Sequence, residues 1–208
     1  VGGSLYWNSK AGTCYNGINN ATTSCNFTST GIKDELKSLI DDAVWHLGGK
    51  TRSNRITSNF YVEERENINN KLCSTGVTCN DGVERTLFWT GKVGLMYPSD
   101  YGYATSGGST TDRLTCLDTV LSSSGWGAAN VSDCKNNDWM YFTDAAQWAL
   151  SPLSYSNNAT SVMTFHAGGV SSDGAANRYH VYPVVYLSSS VRIISGIGSS
   201  SDPFILGM

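Results

Sequence analysis

The chain has 208 residues, 40% of them hydrophobic and 15% charged, with a formal net charge of −3. Its 14 Lys and Arg form no basic stripe to neutralise phosphates, which excludes nucleic acid as a partner. No apolar run approaches the roughly 18 residues of a membrane span, so attachment to a membrane or pilus is expected only through a segment absent from this chain.

Residues 1–29 are polar and turn-rich. The clearest helical pattern follows: Ile32, Leu36, Leu39, Ile40 and Val44 recur at 3.6-residue spacing up to Trp45, with Ser29 or Thr30 to cap the start and Gly48-Gly49 to stop it. Trp45 and His46 are expected to be structural. Asn59 to Val62 reads as a short strand, and Cys73 to Cys79 as a stapled loop. Leu87 to Pro98 gives two short strands or one bent strand. Short helices are expected over Asp100–Ala104 and Leu114–Leu121. A Gly/Asn/Asp-rich loop over 123–139 holds Trp126 and Trp139, with Trp139 and Trp148 expected in the core. Asp144 to Leu150 reads as a helical turn ended by Ser151-Pro152. Beyond it the pattern is strand and turn: a strand over Ser161–His166, a turn at Ala167-Gly168-Gly169, a polar tip over Ser171–Asn177, then strands over Val181–Leu187, Val191–Ile194 and Phe204–Leu206. No internal repeat or linker interrupts the chain, so a single domain over 1–208 is expected.

Six cysteines stand at Cys14, Cys25, Cys73, Cys79, Cys116 and Cys134. Six allow fifteen connectivities, and proximity favours Cys14–Cys25, Cys73–Cys79 and Cys116–Cys134. No CxxC occurs and no His lies at zinc-ligand spacing from a Cys, so disulfides and an oxidising, extracytoplasmic compartment are the reading. Sequons stand at Asn20, Asn26, Asn130 and Asn158, and carry glycan only in a eukaryotic source.

Several strings together carry a resemblance: Trp45-x-Leu47-Gly48-Gly49, Gly94-Leu95-Met96-Tyr97-Pro98-Ser99-Asp100-Tyr101-Gly102-Tyr103-Ala104, Cys134-x-Asn136-Asn137-Asp138-Trp139, Trp148-x-Leu150-Ser151-Pro152, Pro183-Val184-Val185-Tyr186-Leu187, and Ser195-Gly196-x-Gly198 to Pro203. As a set they resemble a family of secreted or surface proteins of gut Firmicutes, often fused behind a prepilin-type helix. The resemblance covers about 45–208, leaving 1–44 as an N-terminal extension and first helix. That family is similar to the formylglycine-generating-enzyme branch of the C-type lectin fold. Variable proteins of diversity-generating retroelements use the same fold, holding a scaffold fixed while scattered C-terminal positions change the ligand. The resemblance implies an α+β, C-type-lectin-like fold with small mixed or antiparallel sheets, two or more helices and long disulfide-stapled loops. Tyr182 stands where an Arg commonly precedes the Pro, so the usual Arg anchor is missing or displaced.

Residues 141–182 suit a binding face. Scaffold-like Trp148, Leu150, Pro152, Gly168, Gly169 and Pro183 punctuate positions of mixed chemistry: Tyr141, Phe142, Asp144, Tyr155, Asn157, Met163, His166, Arg178, Tyr179, His180 and Tyr182. Tyrosine gives contact area at low entropic cost, while Asn, Ser and Asp give adaptable hydrogen bonds.

Signals for chemistry are weak by comparison. The formylglycine reaction needs two late cysteines, and none follows Cys134. His46, His166 and His180 form no HxxxH or HExxH, and no G-x-S-x-G elbow, GxGxxG or P-loop occurs. Glu63, Glu64 and Glu66, with Arg65 between and Lys71 nearby, read as a solvated surface patch. Asn136, Asn137 and Asp138 offer hard oxygen ligands, making Ca²⁺ the one candidate cofactor; a hydrogen-bonding loop locked by Cys134 is the favoured role. The expectation is a non-enzymatic, secreted or cell-surface recognition module whose partner is an unidentified protein or glycan. A self-assembling pilus or sheath subunit is the alternative, and an enzyme on the related fold a third.

Overall fold

The computed structural model describes residues 4–6, 32–47, 55–66, 88–141, 145–152, 161–174 and 177–208. The architecture is mixed α+β, with short helices and several small sheets. In chain order the elements are β1 (Ser4–Tyr6), α1 (Asp34–Lys37), β2 (Ile40–Asp41), β3 (Ala43–His46), α2 (Thr57–Glu66), β4 (Phe88–Gly91), β5 (Val93–Leu95), α3 (Pro98–Tyr103) and α4 (Arg113–Asp118). Two 3-10 stretches, Ala129–Lys135 and Asp138–Met140, lead to β6 (Gln147–Pro152), β7 (Ser161–His166), β8 (Gly169–Gly174), β9 (Arg178–His180), β10 (Pro183–Leu187), β11 (Arg192–Ser195) and β12 (Ile205–Gly207).

The largest sheet has the order β1-β9-β6-β7-β8 and is antiparallel except where β6 runs parallel to β9. A second sheet, β2-β10-β5, joins the chain's middle to its C-terminal third. Strands β3 and β4 form one two-stranded ribbon, and β11 and β12 another. The main core lies between the five-stranded sheet and α2, α3 and α4. It holds Phe60, Tyr101, Leu121, Trp126, Met163 and Phe165, with Tyr101 in edge contact with Phe165 at 5.4 Å and with Tyr141 at 5.4 Å. A smaller cluster packs Trp45 with Tyr97 and Leu150.

Local chemistry explains the elements. Pro98 opens α3, where its missing N–H costs nothing, and Asp100 accepts from the Tyr97 N–H at 3.1 Å. Asp112 caps α4 by accepting from the Thr115 N–H at 2.8 Å. The β7–β8 hairpin turns on two residues, Ala167 and Gly168, with φ of 51° and 78°, the backbone of a type I′ turn. At Gly168 a Cβ would also strike the Lys135 stem, so only glycine fits there.

Four expectations are corrected. The stripe over 32–45 yields only the single turn α1, after which the chain extends. Ile40 pairs with Leu187, Trp45 pairs with Trp89, and the Trp45 indole N–H donates to the Gly91 carbonyl at 2.8 Å. Leu36 and Val44, two of the stripe residues, are exposed. Asn59–Val62 lies inside helix α2, whose buried face is Thr57, Phe60, Glu63 and Glu64. That i, i+3, i+6, i+7 stripe is mostly polar, so hydrophobic periodicity misses it. Where a helical turn is expected over 144–150, residues from Gln147 onward form β6, a central strand buried from Gln147 to Ser151. The polar tip over 171–177 begins as β8, paired with β7 from His166↔Gly169 to Ser161↔Gly174.

The acidic patch is corrected as well. Glu63 and Glu64 are buried, and Glu64 accepts from the Ser99 N–H at 3.0 Å, from the Ser99 hydroxyl and from Arg65 Nη1 at 3.0 Å. Arg65 lies between the Tyr61 and Tyr97 rings, 4.1 and 4.6 Å from their centroids. Arg55 pairs with Glu63 at 3.4 Å.

Cys116 and Cys134 form a disulfide with a Cα separation of 5.5 Å and both residues fully buried. Cys14, Cys25, Cys73 and Cys79 lie outside the described residues, as do Asn20, Asn26 and Asn158. The bridge closes a loop of 18 residues, for which chain entropy gives about 3 kcal/mol. Replacing both cysteines by serine is expected to lower stability by about that much in a denaturant titration. An unchanged midpoint would show that the bridge constrains nothing.

Candidate functional site

In the β7–β8 ladder, residues directly opposed share a face and successive residues alternate. Met163 and Phe165 point into the core. Val162, Thr164 and His166 take the other face, opposite Asp173, Ser171 and Gly169. On the β6 side, Trp148 is opposite Thr164, and its ring meets that of Tyr179 at 4.8 Å with 66° between planes. The accessible part of this second face therefore carries His166, Ser171, Asp173 and Tyr179, over the buried Trp148 and Thr164.

A recess of about 180 Å³ opens on this face, lined by Ala146, Thr164, His166, Ser171, Ser172, Asp173 and Tyr179. Its volume lies below the roughly 300–1,000 Å³ of pockets for drug-sized ligands, so it suits one ring-sized unit of a longer ligand. Asp173 is its electrostatic centre. Its carboxylate accepts from the Tyr179 hydroxyl, from Asn177 Nδ2 at 2.7 Å and from the Gly174 N–H at 2.6 Å. Partial burial pushes this carboxyl up, and the three donors outweigh it, so the group stays below its ordinary value and ionised. The same hydrogen bond from Tyr179, with burial added, pushes the phenol up.

The expected binding residues divide. His166 and Tyr179 line the recess. Arg178, His180 and Tyr182 follow on and after β9: Arg178 and Tyr182 are exposed and His180 is half-buried. Tyr141 and Met163 are corrected: both are buried in the core, and Met163 is fully covered by the alternation that sends Phe165 inward. The Tyr141 hydroxyl accepts from the Gly168 N–H at 2.5 Å, so this residue holds the hairpin turn instead of a ligand. Phe142, Asp144, Tyr155 and Asn157 lie outside the described residues. Sequence reasoning missed Thr164, Ser171, Ser172 and Asp173. The available signal was the two-residue turn at 167–168, which forces the register that sets the Thr164 and Ser171 hydroxyls on the same face as the Asp173 carboxylate.

No family model, curated protein or solved structure matches the chain.

The 136–138 segment forms a clasp. Asn136 Nδ2 donates to the Ser106 hydroxyl and the Gly107 carbonyl, while its Oδ1 accepts from the Ser106 N–H at 3.3 Å. Asn137 Nδ2 donates to the Tyr101 carbonyl, and Asp138 Oδ1 accepts from the Tyr101 hydroxyl at 2.5 Å. Among the described residues no three His, Cys, Asp or Glu side chains gather as metal ligands. No helix among them is long and apolar enough to cross a membrane. Trp148 is buried as expected, whereas Trp139 is 79% exposed. Trp139 sits on a three-residue 3-10 turn, where Asp138 is drawn inward by Tyr101 and its neighbour is left outside.

Proposed function

We propose that the chain is a non-enzymatic, extracytoplasmic recognition module of C-type-lectin-like fold, adhesin-like in use, that binds a hydroxyl-rich ligand, a glycan, on the outer face of its five-stranded sheet. The observation that carries this reading is the recess on that face. It combines an ionised carboxylate, the hydroxyls of Thr164 and Ser171, an imidazole and a tyrosine within one small depression. Carboxylate and hydroxyl groups exchange hydrogen bonds with sugar hydroxyls, and the Tyr179 ring offers apolar area beside them. Among the strands lining the recess, the exposed or half-buried positions His166, Ser171, Asp173, Arg178 and Tyr179 can change without disturbing the backbone ladder, which suits a scaffold whose surface positions vary.

The test is a glycan-array screen of the whole chain, followed by titration of the best saccharide against His166→Ala and Asp173→Asn. His166 is exposed, so its loss leaves the fold intact; Asp173→Asn removes the charge while keeping an acceptor. Each substitution is expected to weaken binding about 10- to 100-fold, His166→Ala with an unchanged melting temperature and Asp173→Asn with only a small fall, from the weakened bonds to Tyr179 and Asn177. Equal affinity in both variants, or no saccharide bound by the unmodified chain, would overturn the reading.

A further inference from the structure

The Asp173 carboxylate has accepting capacity left over at the recess. An ionised carboxylate offers about four lone-pair positions. Oδ1 accepts from the Gly174 N–H and from Asn177 Nδ2, while Oδ2 accepts from the Tyr179 hydroxyl. One position on Oδ2 is therefore open, beside a phenol whose proton is already committed.

Among the described residues, no cation of the chain fills it. None of their ion pairs involves Asp173, and no Lys or Arg lines the recess. Arg178 adjoins Tyr179 in the sequence, but alternation along β9 sends it to the opposite face. The charge is thus held by a phenol, an amide and a backbone N–H, which stabilise it without neutralising it.

A charge held in this way selects among saccharides. An acidic sugar brings a second negative charge against it and is disfavoured. A sugar hydroxyl makes an ordinary hydrogen bond to Oδ2, whereas an ammonium makes a charge-assisted one, about twice as strong. The Tyr179 ring adds to the preference, since aromatic faces attract cations. Given the glycan reading proposed above, on which this rests, we infer that the recess takes an amino sugar, a single ring unit whose free ammonium sits on Asp173 Oδ2. A volume of about 180 Å³ leaves room for such a unit and little beyond it.

NMR titrations of the full chain test this with matched methyl glycosides of glucosamine and galactosamine, of their N-acetyl forms, of glucose and galactose, and of glucuronic acid. The buffer is acidic enough to protonate the amines. Asp173 stays ionised there, because its donors outweigh partial burial and hold it below its ordinary value. At least one free amine is expected to bind about 10-fold more tightly than its N-acetyl and hydroxyl counterparts, with the glucuronide weakest. Asp173→Asn should erase that difference, whereas His166→Ala should weaken amine and neutral glycosides alike and preserve it. A neutral or acidic glycoside that binds as tightly as the amines overturns the inference and leaves the glycan reading standing. So does a preference for amines that survives Asp173→Asn. Equal binding of Nα-acetyl-lysine methylamide overturns the amino sugar in favour of a lysine-bearing protein. Binding of none of these glycosides overturns the inference too, and the array alone then decides the glycan reading.

Discussion

Trp45→Ala is expected to cost the fold about 4 kcal/mol, and Gly94→Ala about 3 kcal/mol. The two residues form one joint. Trp45 is 1% exposed, its indole N–H is bonded to the Gly91 carbonyl, and its ring meets Tyr186 at 5.2 Å. Gly94 lies directly against that ring, and a Cβ there would sit 2.4–2.5 Å from three indole carbons. The indole is rigid and enclosed, so an added methyl forces ring or strand to move. Because β5 pairs through Gly94 with Val184, the displacement would reach β10 and the second sheet. The costs should not add: in a Trp45→Ala background, Gly94→Ala should be close to neutral, since its clash is gone. Thermal melts of the two single variants and the double check this. Fully additive losses would mean that the glycine serves the backbone and not the indole.

The second large effect is a dependence on pH set by Glu64. Burial pushes its carboxyl from the ordinary 4.5 up to about 8; hydrogen bonds from Ser99 and the charge of Arg65 pull the other way without prevailing, and Asp100 adds to the rise. The folded chain thus holds this proton more tightly than the unfolded chain does. Below the unfolded value both states are protonated and the contribution of Glu64 is fully present. Between the ordinary 4.5 and about 8 only the unfolded state releases the proton, so stability falls as pH rises, and above that the loss is complete. At about 1.36 kcal/mol per unit, the whole effect is on the order of 5 kcal/mol. Urea titrations from about pH 5 to about pH 8 should show declining stability in the unmodified chain. In Glu64→Gln that decline should be largely removed, because the amide can still accept from the Ser99 N–H and has no proton to lose. Parallel profiles for the two proteins would exclude the buried carboxyl as the cause.

Much of the C-terminal half was legible in the sequence because its strands follow one another through short turns. Ser161–His166 is the expected strand, the turn expected at Ala167-Gly168-Gly169 occupies Ala167 and Gly168, and the strand expected over Val181–Leu187 forms from Pro183 to Leu187. The short helices expected over Asp100–Ala104 and Leu114–Leu121 form as α3 and α4, which begin one or two residues earlier because Pro98 opens the first and Asp112 caps the second. Trp45 was read as structural for a helix and is structural in a strand, since a buried indole serves either. The failures share one physical source. Residues 40–46 owe their extended form to β10 and β4, partners more than 40 residues away, and a local stripe cannot contain that information. Helix α2 hides its inward face behind Thr57, Glu63 and Glu64, whose burial depends on Ser99, Arg55 and Arg65. At the candidate site, Tyr179 and His166 were legible as chemistry, whereas Asp173 became meaningful only once the hairpin brought it to Tyr179. Trp139 lacked any sequence signal separating it from the buried tryptophans.

The recognition reading is tested most directly by crystals of the whole chain grown with the best saccharide from the array. The ligand is expected against β7, β8 and β9, with a sugar hydroxyl or ammonium on the Asp173 carboxylate and its ring beside Tyr179. A saccharide stacked on the exposed Trp139, with the recess holding only solvent, would contradict it.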